Sequence, residues 1–164
     1  EAVSWVYKEI VSLLLKHRAD VHAKDNNDWT ALFWACRDEH TEIIKMLLDK
    51  GADMNAKNND GETIFIRACW TGNTSIVELL LKYGADVNTN VYNGYTVLMS
   101  ACEHGCRTTV SMLLKNGANV NAKNNDGNTA LIKASKIRYN KEMVSILLEN
   151  GADMNAKNLS LIHI

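Results

Sequence analysis

The stretch Gly51-Ala52-Asp53-Met54-Asn55 decides the fold, because the chain repeats it at a regular interval. Close variants begin at Gly84, Gly117 and Gly151, after steps of 33, 33 and 34 residues. A weaker copy begins at Arg18, 33 residues before Gly51. A period of this length is typical of proteins built from stacked supersecondary units, with one unit in each repeat.

The repeat predicts a single domain over residues 1–157. Residues 1–17 match the second half of a unit, and residues 151–157 begin another. The full units are 18–50, 51–83, 84–116 and 117–150. Residues 158–164 abandon the pattern, and we expect a cloning or sequence-assembly artefact there. The alternative is an apolar strand that seals the last unit.

Each unit predicts a turn followed by two helices. In the second unit Asp60-Gly61 supplies the turn, where glycine permits a positive φ. Thr63 is placed as the N-cap of a short first helix, as are its counterparts in the other units. That helix carries Phe65 and then Ala68, which gives a narrow apolar face with a small residue where a neighbour must come close.

The second helix of each unit carries apolar residues at i, i+3 and i+4, and a glycine ends it. The stripes are Ile44-Leu47-Leu48, Val77-Leu80-Leu81, Val110-Leu113-Leu114 and Val144-Leu147-Leu148. No unit can bury its stripe alone, so neighbouring units must stack into one continuous core. The sequence therefore predicts an all-α solenoid.

A unit with these positions resembles the ankyrin repeat, and the resemblance covers about residues 5–157. It rests on Gly-Ala-Asp-x-Asn, the Asp/Asn-Gly turn, Thr-x-Leu, the following alanine and the Val-x-x-Leu-Leu stripe. The family implies helix–turn–helix units joined by β-turn or hairpin loops. It also implies an extended concave face, formed by the turn tips and first helices, that binds other proteins.

The chain departs from the family in places. Thr63-Ile64-Phe65-Ile66 stands where the family has Thr-Pro-Leu-His, and the other units also lack this proline, so the helix starts should be looser. Arg18 replaces a helix-ending glycine, and a left-handed conformation there would cost on the order of 1 kcal/mol. The fourth unit has an extra residue between Ile137 and Lys141, where we expect an irregular loop.

The composition argues against several classes of protein. The 164 residues carry 18 basic and 19 acidic side chains, which is too balanced for a chain that chiefly binds nucleic-acid phosphates. No apolar run approaches the roughly 20 residues of a membrane helix. Cys36, Cys69 and Cys102 occupy the same position in successive units, so we expect the distance between packed helices, about 8–10 Å, to separate them. A disulfide needs Cα atoms within about 7 Å, so these cysteines should not cross-link. We expect free thiols in a reducing intracellular compartment, with a secreted effector as the alternative.

Residues suited to catalysis or metal binding do not converge. The five histidines fall in different units or in different parts of a unit, and no glycine-rich phosphate loop is present. The segment Cys102-Glu103-His104-Gly105-Cys106 brings ligand types together but lacks the second ligand pair of a structural zinc site. We expect no enzymatic activity, no cofactor and no metal.

Positions that vary between units indicate a binding face. The predicted contact residues are Trp29, Trp34, Arg37, Glu62, Arg67, Trp70, Tyr92, Tyr95, Glu103 and Lys136. Aromatic residues and arginine dominate protein-binding hot spots, so the sequence predicts a protein-binding groove along this face. The centre of the groove is expected at Trp29, Trp70, Tyr92 and Tyr95.

Other interpretations stay open. Trp34 and Trp70 are also consistent with side chains that only cover the core between units. A strip of Trp34, Arg67, Trp70, Lys133 and Lys136 could instead bind a nucleotide or another small anion, although Glu62 and Glu103 interrupt it. The repeats are also compatible with the targeting arm of a larger enzyme.

The N-terminal half-unit is apolar where a terminal repeat normally has a polar outer face. Its apolar residues are Val3, Trp5, Val6, Ile10, Val11 and Leu14. This pattern predicts that the chain is a segment of a longer array of repeats. We expect a monomer, with end-to-end association through apolar ends as a further outcome.

Overall fold

A computed structural model describes residues 2–137 and 140–157, with the backbone alone for residues 2–6 and Tyr92. The loop predicted to be irregular falls partly on residues 138–139, which lie outside the described residues. The tail 158–164 also lies outside them.

The described residues form nine α-helices and no extended strand. The helices are α1 (Ala2–Lys16), α2 (Ala31–Arg37), α3 (Thr41–Asp49), α4 (Ile64–Thr71), α5 (Thr74–Lys82), α6 (Val97–Glu103), α7 (Arg107–Lys115), α8 (Ala130–Ser135) and α9 (Lys141–Glu149). Single antiparallel bridges join Lys24 to Thr30 and Asn90 to Thr96 at two of the turns. The predicted all-α solenoid is confirmed.

The helices form two layers. The first helices of successive units, α2, α4, α6 and α8, pack side by side, and each also packs on the second helix of its own unit. In the other layer α1 packs on α3, α3 on α5, and α5 on α7. The first-helix layer packs more closely, because fully buried alanines stand at one repeated position: Ala68, Ala101 and Ala134.

The core runs through the array between the two layers. Ile44 and Leu80, which belong to the stripes, and Leu98 of α6 are almost completely buried in it. Leu131 is only half-buried and Leu148 is 39% exposed. Both belong to α8 and α9, and no further helix pair covers them within the described residues.

The threonines predicted as N-caps begin the first helices as expected. Each threonine hydroxyl accepts a hydrogen bond from the backbone N–H three residues further on. The pairs are Thr30–Phe33 at 3.3 Å, Thr63–Ile66 at 3.4 Å, Thr96–Met99 at 3.2 Å and Thr129–Ile132 at 3.3 Å. Each cap satisfies a backbone donor and contributes about 1 kcal/mol.

Some left-handed positions in the array carry a residue other than glycine. Between the two helices of a unit, Gly72 and Gly105 have φ of 74° and 73°, and Glu39 holds the same place in the first unit with φ of 60°. Arg18 has φ of 63°, so it adopts the left-handed conformation at the place of the helix-ending glycine. A side chain in this region costs on the order of 1 kcal/mol.

Replacing Glu39 by glycine should therefore stabilise the protein. We expect Glu39→Gly to raise the free energy of unfolding by about 1 kcal/mol, because glycine adopts this φ without steric strain. Urea denaturation followed by far-ultraviolet circular dichroism measures the change. As a control, Lys45→Gly in the middle of α3 should lower stability by about 1 kcal/mol. A loss of stability in Glu39→Gly would contradict the prediction.

Helix α1 is longer than the other helices of the second-helix layer. It spans 15 residues, whereas α3, α5, α7 and α9 span nine each. One side of α1 is open to solvent, because Ile10 is 49%, Leu13 is 58% and Leu14 is 53% exposed. Such a face is consistent with end-to-end association, which stays a prediction.

Candidate protein-binding site

The predicted contact residues recur with a spacing of three on the first helices. Trp34 and Arg37 follow this spacing on α2, and Arg67 and Trp70 follow it on α4. Core residues such as Phe33 fill the other side of these helices. With the turn residues, they form a surface that we call the open face. It comprises Trp29, Trp34, Arg37, Glu62, Arg67, Trp70, Tyr95, Glu103, Lys133 and Lys136.

A stack of two tryptophans and an arginine occupies the first unit. The rings of Trp29 and Trp34 lie 4.7 Å apart between centroids. The Arg37 guanidinium carbon lies 4.0 Å from the Trp34 centroid, within the range of a cation–π contact. Arg37 Nε also donates to Asp38 Oδ1 at 2.7 Å. This bond lowers the pKa of the Asp38 carboxyl, so the two charges stay paired at neutral pH.

The Asp25 carboxylate holds this stack in position. Its Oδ1 accepts the backbone N–H groups of Asn27 at 2.8 Å and Trp29 at 3.0 Å. Its Oδ2 accepts the indole N–H of Trp34 at 3.0 Å. The backbone bonds from Trp29 and Asn27, with the indole bond, hold the pKa of Asp25 below its usual range. An ionised Asp25 therefore ties the turn to the Trp34 ring.

A second stack crosses from the first unit to the third. The Arg67 guanidinium carbon lies 4.9 Å from the Trp70 centroid and 5.8 Å from the Phe33 centroid. The Trp70 ring contacts the His104 ring at 5.1 Å between centroids. Trp70 remains 38% exposed, so one part of its ring bridges neighbouring units while another part faces solvent.

A third cluster joins the third and fourth units. The Tyr95 hydroxyl donates a hydrogen bond to the Glu103 carboxylate. Lys133 Nζ lies 3.3 Å from Glu103 Oε1 and 4.7 Å from the Tyr95 ring centroid. The lysine therefore neutralises the glutamate and covers the ring at the same time.

The structure places most of the predicted contact residues in these three clusters. Trp29 packs on Phe33 at 4.7 Å, so it is half-buried and belongs partly to the core. Trp34 stacks within its own unit, whereas Trp70 does contact the neighbouring unit. Lys136 is exposed at the C-cap of α8, apart from the three clusters. The side chain of Tyr92 lies outside the described part of the structure.

Sequence reasoning missed the residues that support the open face. Asp25 and Asn58 stand four positions before a turn contact residue and accept its backbone N–H. The column 25, 58, 91, 124 contains Asp, Asn, Val and Asn, and this recurrence was the available signal. Phe33 and His104 carried no such signal, because the Arg67 and Trp70 side chains that they contact belong to another unit.

The cysteines do not add chemistry to the face. Burial raises the pKa of Cys36 and Cys102 to about 12 and that of Cys69 further, so these thiols stay protonated at neutral pH. Among the described residues, no group of three or more His, Cys, Asp or Glu side chains could hold a metal ion. None of the helices described is both long and apolar enough to cross a membrane.

Comparisons with known proteins agree with this architecture. Residues 1–91 and 88–158 match the family model described as ankyrin repeats (3 copies). A crystal structure of an ankyrin repeat domain from Acinetobacter baumannii is similar, with a TM-score of 0.87 and 31% sequence identity. The match covers 97% of this chain and 83% of that one. A search of curated proteins gave no significant match. The chain belongs to the ankyrin repeat family.

Proposed function

We propose that the open face binds another protein, with Trp29, Trp34, Trp70 and Tyr95 as its main contacts. Ankyrin repeats are generally protein-interaction modules, which supports the class of function. The observation that carries the proposal is the recurrence of an aromatic–cation contact in each of the three clusters of the open face. We also propose that residues 1–157 act as one array.

The stacks are suited to binding because they are already ordered. Asp25 orients Trp34, and Glu103 orients Tyr95, so these rings have less freedom to lose when a partner binds. Preorganised aromatic side chains combine a large contact area with a small entropic penalty. Trp70, the most exposed aromatic side chain described on the face, is the best placed to be buried by a partner.

Truncating the exposed rings tests the proposal. We expect Trp70→Ala combined with Tyr95→Ala to weaken capture of a partner from lysate by at least about tenfold, because hot-spot rings are lost. Quantitative pull-down with mass spectrometry measures the capture, and circular dichroism checks that the helices persist.

Tyr83→Ala serves as the aromatic control. Tyr83 lies at the end of α5 in the second-helix layer, where its hydroxyl donates to Asp49. Its truncation removes a ring of similar size from outside the open face. Equal capture by the double variant and the parent protein would reject the proposal.

A nucleotide or small anion is the rival ligand, and the clusters weaken that case. Arg67 lies in an ion pair with Glu62 and Lys133 in one with Glu103, so the charges of two cations of the proposed strip are already balanced. An anionic ligand would give binding that weakens steeply with salt, whereas ring burial predicts a shallow dependence. Capture over a salt series distinguishes the two.

A further inference from the structure

Arg67 differs from the other clustered cations of the open face in its hydrogen bonds. Within the described residues its guanidinium makes none: Nε is buried without a partner, and the ion pair with Glu62 Oε2 spans 3.6 Å. Arg37 Nε, by contrast, bonds Asp38 at 2.7 Å, and Lys133 Nζ bonds Glu103 at 3.3 Å.

The position of Arg67 makes its lack of hydrogen-bond partners costly. Its side chain is only 21% exposed, and it is held against the Phe33 and Trp70 rings. A guanidinium has five N–H donors in a rigid plane and cannot lose its charge at physiological pH. Because Nε is buried, an incoming acceptor can reach only the Nη donors, where a charge-assisted hydrogen bond would be strong.

The Glu62 side chain balances the charge of Arg67 without occupying its donors. The Glu62 carboxylate accepts from Asn58 Nδ2 at 3.4 Å, and the Glu62 backbone N–H donates to Asn58 Oδ1 at 2.9 Å. These contacts keep the Glu62 carboxylate at the turn, with Oε2 3.6 Å from Arg67 Nη2. The Nη donors of Arg67, which make no hydrogen bond within the described residues, are therefore left for a group that comes from outside the chain.

We infer that Arg67 receives a single carboxylate from the bound protein, while an adjoining apolar group packs on the exposed part of Trp70. The inference rests on the proposed function and names the chemistry of the partner. A carboxylate matches the planar donor edge of a guanidinium through two parallel bonds. A polyanion fits less well, because the neighbouring cations Arg37 and Lys133 are already paired.

Matched peptide pairs test this inference. The probe is an array of short synthetic peptides with amidated C-termini, in pairs that differ only by Asp against Asn or Glu against Gln. Among peptides whose binding requires Trp70, we expect the acid to bind about tenfold or more tightly than its amide, as for a hydrogen-bonded charge pair. Arg67→Gln should abolish this preference.

Two variants act as controls. Arg107→Gln should leave the preference unchanged, because Arg107 lies on α7 in the second-helix layer, outside the open face, and pairs with Glu142. Arg67→Lys keeps the charge but loses the planar fork, so it should keep part of the preference. Equal binding of acid and amide, or no Trp70-dependent peptide at all, would overturn the inference. The proposed function is decided separately, by the capture experiment with the Trp70 and Tyr95 double variant.

Discussion

Replacing Leu98 by alanine should lower the free energy of unfolding by about 2–5 kcal/mol. Leu98 is 1% exposed and lies on α6, which packs against α4 on one side and α8 on the other. Alanine would leave a cavity that three helices can close only in part. Because a solenoid is stabilised by the interfaces between neighbouring units, a defect at this position also weakens the coupling between the two ends.

Urea denaturation followed by circular dichroism measures this loss. Leu13→Ala is the matched control, because it removes the same atoms from a side chain that is 58% exposed. We expect that control to change stability by less than about 0.5 kcal/mol. If Leu98→Ala lowered the free energy of unfolding as little as the control does, Leu98 would not lie in a close-packed core.

Replacing Asn58 by alanine should cost about 2 kcal/mol, although it removes only a small polar side chain. Asn58 is 6% exposed, and its Oδ1 accepts the backbone N–H groups of Asp60 at 3.0 Å and Glu62 at 2.9 Å. Alanine would leave both donors without that acceptor. Without these two hydrogen bonds the turn before Thr63 would be less rigid, and Thr63 would be less well positioned as an N-cap.

The neighbouring asparagine provides the control for this change. Asn59 is exposed, so Asn59→Ala should alter stability by less than about 0.5 kcal/mol. Urea denaturation of the two variants under identical conditions gives the comparison. If both substitutions have equal effects, the Asn58 side chain does not brace the turn.

Much of the fold was predictable, because the signals that specify it are local. Thr63 is followed three residues later by the backbone N–H that it caps, and a spacing of three requires no knowledge of distant residues. The glycines that end the second helices, such as Gly84, are equally local, since a positive φ depends on the residue itself. Repetition across four units then made the stacking of helices a consequence of the sequence.

The candidate site was predictable in position but not in its contacts. Variation between units pointed to Trp70 and Tyr95, and the structure places both on the open face. Comparing the units with one another gave no indication that Trp70 contacts His104 of the next unit. Nor did it indicate that Lys133 bonds Glu103, which lies 30 residues earlier in the chain. These contacts depend on how one unit is rotated and offset against the next.

The adjacent residues Asn58 and Asn59 illustrate the difference between the information in the sequence and the information in the tertiary structure. The sequence alone established the 33-residue unit, its caps and its apolar stripes, because each is a short-range pattern repeated along the chain. Asn recurs in the columns of both asparagines, so recurrence did not show that Asn58 is buried and accepts the N–H groups of the turn while Asn59 is exposed. Nor could it show that Arg67 lies against Phe33 and Trp70 with its Nε buried and, among the described residues, without a hydrogen-bond partner. Burial and unsatisfied donors are properties of neighbouring units in contact, so they arise only when the array is stacked.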